Sequence, residues 1–147
     1  MRRLSGGQQG NALIEFAIVV MVLAVLGVGM FDFGRYGLLY TRAYNAARAG
    51  TQYGIQSQGT AVDFNGMVDA ARTDASDDND ELNVVARRYC MCPETSTETA
   101  CTGTCGDGKF VPIFVEVTVR DTLDFLFTYP GVADTLQIAT RSEMRVR

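Results

Sequence analysis

The sequence predicts an α+β protein, with one long N-terminal helix, transmembrane and then amphipathic, packed on a small antiparallel sheet stapled by disulfides. Three observations carry this. Residues 12–31 are almost wholly apolar. Two later segments, 111–120 and 136–147, alternate apolar and polar residues with period two. All four cysteines fall between positions 90 and 105.

From Asn11 to Phe31 the only charge is Glu15. A helix rising about 1.5 Å per residue over that span covers a bilayer core of about 30 Å. A secretory signal would place a small-residue cleavage site and a polar start after its apolar core. Here the run leads instead into Asp32-Phe33-Gly34-Arg35-Tyr36. Arg2 and Arg3 precede the helix with no acid nearby, so charge asymmetry puts this end in the cytoplasm and the chain beyond Phe31 outside. Arg35 and Arg42 weaken that asymmetry. Glu15 is costly near the start of a membrane helix unless the helix dipole, a neighbouring cation or the headgroup layer stabilises it.

The helical pattern continues beyond the apolar run. Tyr36, Leu39, Tyr40, Ala43, Ala46, Ala47, Gly50 and Gly54 share one side, and Thr41, Asn45, Arg48 and Gln52 the other. This predicts an amphipathic extension over 32–56, with a small-residue face that lets another element approach closely. Gln56 to Thr60 reads as a linker. Phe64, Met67, Val68 and Ala71 then predict a short helix from about Ala61 to Ala75. The acidic run Asp74 to Glu81 reads as a solvated connector and lacks the glycine that an EF-hand loop needs at its sixth position.

Three strands are expected. The first is Leu82–Tyr89. In the second, Val111, Ile113, Val115, Val117 and Val119 alternate with Pro112, Phe114, Glu116, Thr118 and Arg120. In the third, Leu136, Ile138, Thr140, Ser142, Met144 and Val146 alternate with Gln137, Ala139, Arg141, Glu143, Arg145 and Arg147. Phe125-Leu126-Phe127 and Tyr129-Pro130-Gly131 between the last two form an apolar loop closed by a turn.

Cys90, Cys92, Cys101 and Cys105 read as two disulfides in a small domain outside the cytoplasm. A bond between Cys90 and Cys92 is disfavoured, because residues two apart on a strand sit too far apart and face the same way. Of the remaining pairings, the nested one, Cys90–Cys105 with Cys92–Cys101, suits two antiparallel segments. The Cys-x-Cys spacing departs from the usual zinc pattern. With no His, the commonest general base and metal ligand are missing, and no nucleophile–base pair or phosphate loop is evident. The net charge of −4 offers no footprint for nucleic acid.

Gly10-Asn11-Ala12-Leu13-Ile14-Glu15-Phe16 resembles a type IV prepilin processing site: glycine, four residues, glutamate, an aromatic and then a hydrophobic run. The resemblance implies a leader over 1–10 and cleavage between Gly10 and Asn11 by a prepilin peptidase. Asn11 would become the new N-terminus, and Glu15 of an adjacent subunit could pair with its amine and set subunit registry, with Phe16 beside it. Phe33-Gly34-Arg35, Asn45-Ala46-Ala47-Arg48-Ala49-Gly50, the cysteine cluster and the end Met144-Arg145-Val146-Arg147 narrow the resemblance to TadE-like minor pilins or pseudopilins of the tight-adherence (Tad) pilus. The implied domains are a leader (1–10), a transmembrane helix (11–31), an amphipathic extension (32–56) and an exported α+β domain (57–147). The implied role is structural, in assembly or initiation of a pilus, with no cofactor, metal or catalytic residue. The implied partners are the prepilin peptidase, other pilin-like subunits, the inner-membrane assembly machinery and the membrane. The protein would sit in the bacterial inner membrane with its C-terminal domain in the periplasm. The alternative is an uncleaved single-pass protein with an exported binding domain.

Overall fold

A computed structural model of the chain describes residues 8–77, 82–127, 131 and 133–146. The expected leader up to position 7, the core of the acidic run (78–81), the turn residues 128–130 and Arg147 lie outside the described residues. One helix, α1, runs from Gln8 to Gly54. A 3-10 turn at Thr60–Val62 and helix α2, Phe64–Ala75, follow. The strands are β1 (Asn83–Met91), β2 (Glu98–Thr99), β3 (Ile113–Asp124) and β4 (Thr135–Arg145). They form one antiparallel sheet in the order β2-β1-β3-β4. The fold is α+β, as expected.

Contacts divide the chain into two compact units, Met1–Gly37 and Leu38–Arg147. In the first unit the described residues are α1 alone. Many of its apolar side chains are open: Leu13, Phe16, Met21, Val25 and Phe31 are all more than half exposed.

In the second unit, the end of α1 lies on the sheet. Ala43, Ala46 and Ala47 are fully buried against a core built from Met67, Ala71 and Ala75 of α2 and Val115, Val117 and Val119 of β3. Small residues permit this approach. A Cβ on Gly50 would stand 2.8 Å from the Met67 carbonyl oxygen and 3.1 Å from a Val117 methyl, and one on Gly54 would meet Met67 Sδ at 2.8 Å. Thr51 is also fully buried, and its hydroxyl meets that of Ser142 on β4 at 2.9 Å. Tyr40, expected on the packed face, is 45% exposed.

Helix α2 is capped at both ends. Asp63 accepts from the Gly66 amide at 3.0 Å, the usual N-cap bond to the third helical residue. Ser76 takes the left-handed conformation at the far end (φ 53°) and donates its amide to the Arg72 and Thr73 carbonyls. Arg42 Nε reaches from α1 to the Ala75 carbonyl at 2.7 Å and satisfies one more helix-terminal acceptor. Asp77, expected in a solvated connector, is buried, and its carboxylate accepts from the Leu82 amide at 3.0 Å.

The period-two pattern places Val115, Val117 and Val119 on the buried face, along with Ile138, Thr140 and Ser142 of β4. The first strand begins at Asn83 and runs to Met91, two residues beyond its expected end. The second expected strand continues to Asp124, because β4 pairs with β3 as far as Asp124↔Thr135. The short β2 was not expected, since two residues carry no periodicity.

Both disulfides form, but their pairing corrects the nested arrangement: Cys90 joins Cys101, and Cys92 joins Cys105. The nested scheme requires the hairpin to continue through all four cysteines. Here β2 already ends at Thr99, opposite Cys90, leaving Cys101 just past it at a Cα distance of 5.1 Å. The chain then turns back. The Cys105 amide donates to the Lys109 carbonyl at 2.7 Å, and Thr104 bridges Phe110. This second loop carries Cys105 to within 5.7 Å of the Cys92 Cα. Cys90, Cys92, Cys105 and Val111 form a small core of their own, supported by Ile113.

Candidate functional site

The residues marked by the processing motif lie on the first turns of α1. Gly10, Asn11, Glu15 and Phe16 are all exposed, with Phe16 at 67%. Asn11 and Glu15 are four residues apart and share one face of the helix. A Cβ on Gly10 would meet nothing within 4 Å. The Gly10–Asn11 peptide lies within the described helix, which spans Gln8–Gly54. The helix from Gly10 onward is long and apolar enough to cross a membrane, and none of its most apolar window is buried by protein. An apolar surface of this extent marks a membrane or a helix–helix interface.

The Phe33-Gly34-Arg35 element lies on the same helix, just after this stretch. Phe33 is 74% exposed and tilts against Tyr36 at a centroid distance of 6.4 Å. Arg35 donates to Asp32 one turn back at 3.5 Å. The Ala-Ala-Arg-Ala-Gly element falls wholly in the second unit, and its composition has a packing reason. Ala46, Ala47 and Gly50 are buried under the sheet, while Arg48 stays outside, with its guanidinium 5.9 Å from the centre of the Tyr44 ring.

The sheet face away from α1 carries a charge ladder with one residue from each strand. Arg87 on β1 is directly opposite Glu116 on β3 and grips it with two bonds, Nε to Oε1 at 3.1 Å and Nη2 to Oε2 at 2.9 Å. Arg87 Nη1 reaches Glu98 on β2 at 2.7 Å, and Arg141 on β4 approaches Glu116 at 3.4 Å. The Arg87 bonds hold the Glu116 carboxyl below the usual range, against the opposing effect of its burial. Tyr89 stacks on Phe114 with ring centroids 5.6 Å apart and lies under the Arg87 guanidinium at 4.8 Å. Burial, with help from a bond to Glu143, raises the Tyr89 phenol well above its ordinary value. Near α2, Tyr53 donates to Asp63 at 2.7 Å, which raises the phenol and lowers the carboxyl.

The sequence-derived candidates therefore form two groups. Gly10, Asn11, Glu15 and Phe16 lie on one helix start, and the four cysteines are joined in pairs at one end of the sheet. The Thr51–Ser142 bond and the ladder have no signature in the sequence. Alternation alone would have put Glu116 in solvent, and only the strand register reveals the arginines beside it. Among the described residues, no group of three or more Cys, Asp or Glu side chains is disposed to hold a metal ion.

No curated protein and no solved structure matches the chain. A family does match, and it covers the apolar run together with both short elements on α1: residues 10–52 fit the family described as TadE-like protein.

Proposed function

We propose that this chain is a pilin-like structural subunit, a minor pilin or pseudopilin, acting in assembly or initiation of a Tad-type pilus. The observation that carries this reading is the uncovered apolar start of α1, with Gly10, Asn11, Glu15 and Phe16 at its head, inside the segment matched by the TadE-like family. An apolar helical stretch that is not buried within its own chain has its partners elsewhere, in lipid first and then in other subunits.

In this reading a prepilin peptidase cuts between Gly10 and Asn11. The new amine at Asn11 pairs with Glu15 of a neighbouring subunit and fixes axial stagger, as single polar pairs fix register in coiled coils. Phe16 and the apolar run supply packing. The disulfide-stapled sheet lies in the periplasm, facing other pilin-like subunits and the inner-membrane assembly machinery. The chemistry is association, not catalysis. One observation favours a second reading, an uncleaved single-pass anchor: the Gly10–Asn11 bond lies within α1, so the helix must unwind locally before a peptidase can act.

N-terminal sequencing of the protein from its native membrane separates the two. A start at Asn11 supports the pilin reading. A start upstream of Gly10 in fully assembled, functional cells supports the plain anchor.

A further inference from the structure

We propose that the β3–β4 hairpin docks on the membrane that holds α1, with Leu126 and Phe127 entering the boundary between headgroups and acyl chains. This rests on the anchor reading of residues 12–31.

The first argument is direction within the Leu38–Arg147 unit. Gly54 faces Val115 and Gly50 faces Val117, so β3 advances as α1 recedes toward Leu38. From Val117 to Leu123 the strand advances about 20 Å. From Gly50 back to Leu38 the helix covers about 18 Å. The hairpin therefore projects from the end of the unit at which α1 begins. The second argument is covalent. The chain from Phe31 to Leu38 can span at most about 25 Å even if fully extended. That end of the unit is thus tethered within a short distance of the bilayer surface, whatever its orientation.

The third argument is the chemistry of the hairpin. Leu126 and Phe127 are each 54% exposed, and Leu136 is 39% exposed on the returning strand. The Phe125 amide donates to the Asp134 carbonyl at 3.1 Å and closes the hairpin arms beneath Leu126 and Phe127, so these two are presented on an ordered base, while Leu136 lies below the closure, opposite Leu123. The rim is acidic, with Asp124 and Asp134 both exposed. Acidic groups suit neither an acidic partner nor a strongly anionic lipid surface. They remain hydrated while apolar tips enter a largely zwitterionic bilayer. At the opposite end of the sheet, far from the tethered end of the unit, Phe110 is 86% exposed, and it provides an internal control.

The chain has no tryptophan, so a single substitution gives a unique reporter. Three full-length variants, Phe127→Trp, Phe110→Trp and Phe16→Trp, are reconstituted separately in phosphatidylcholine vesicles containing lipid brominated on its acyl chains. Mass analysis of the two disulfides and circular dichroism confirm folding, and Leu126→Trp replaces Phe127→Trp if that variant misfolds. The expected result is strong quenching at position 16, emission cut by roughly half at position 127, and none at 110. Quenching at 16 without quenching at 127 overturns the hairpin inference and leaves the anchor intact. A blue-shifted but unquenched reporter at 127 also overturns it, because a protein then covers the hairpin. No quenching at 16 overturns the anchor reading and this inference with it.

Discussion

The two halves of α1 solve opposite problems with one continuous helix. From Ala12 to Phe31 most side chains are large and apolar, and Leu13, Phe16, Met21, Val25 and Phe31 among them are exposed. From Ala43 to Gly54 the inward face is alanine and glycine with Thr51, and it is buried. Large residues suit a surface completed by lipid or by other chains, where they supply contact area. Small residues suit a surface completed within the chain, where the backbone of α1 must come within van der Waals distance of β3 and α2. Burial is thus anticorrelated with hydrophobicity along this helix. A soluble core would show the reverse.

The comparison breaks most directly at Glu15. If the first half acts only between chains, Glu15→Ala leaves membrane insertion intact, since removing a charge favours the apolar phase. Assembly, read as surface pili, is lost. Gly10→Val instead retains the leader and gives a slower-migrating band. If both variants mature and assemble like the parent, Glu15 is a headgroup-level residue and the plain anchor is the better reading.

The second half should stand without the first. A protein comprising residues 35–147, made in an oxidising compartment, is expected to be monomeric and to unfold cooperatively. Within it, replacing Cys92 and Cys105 by serine opens a loop of sequence separation 13 and is expected to lower stability by about 3 kcal/mol in chemical denaturation. A molten or aggregated product with both disulfides intact would contradict this independence.

The glycines give a matched test. Gly50→Ala drives a methyl into the Met67 carbonyl and Val117, so a loss of about 1–3 kcal/mol is expected by calorimetry in detergent micelles. Gly34→Ala meets nothing within 4 Å and should be neutral or gain up to about 1 kcal/mol from helix propensity. Equal effects at the two positions would remove the distinction between the halves.

A pH titration reaches the outer face of the sheet. The Glu116 carboxyl is held below its unfolded-state value, so its stabilising contribution is complete above that value, about pH 4.3, and is lost as pH falls through the lower folded value. Denaturant midpoints of the truncated protein should therefore drop on acidification, and Glu116→Gln should flatten that drop. An unchanged slope would assign the acid sensitivity to other carboxylates. The smallest effect is at Thr51 and Ser142. A double-mutant cycle with Thr51→Val and Ser142→Ala is expected to show a coupling of about 1 kcal/mol.

Legibility followed the length of each pattern. The run from Ala12 to Phe31 and the valines of β3 repeat often enough to be read directly. The two-residue β2 and the single contact between Thr51 and Ser142 have no repeat and were missed. Asp77 was read as a solvated acid because its neighbours are acidic, whereas the backbone turns it inward to cap Leu82. The cysteines were legible as disulfides from their number, but not in their partners. Connectivity depends on where β2 stops and on the second loop closed by Cys105 and Lys109.

By itself the sequence determined the α+β class, the apolar helix with Glu15 at its head, the small-residue face and the valine face. These are local periodicities, fixed by the geometry of helix and strand. Only the tertiary structure decided the disulfide partners, the gripping of Glu116 by Arg87 and the approach of α1 to Met67 and Val117. Each of these depends on register between segments far apart in the chain, and no local pattern encodes register.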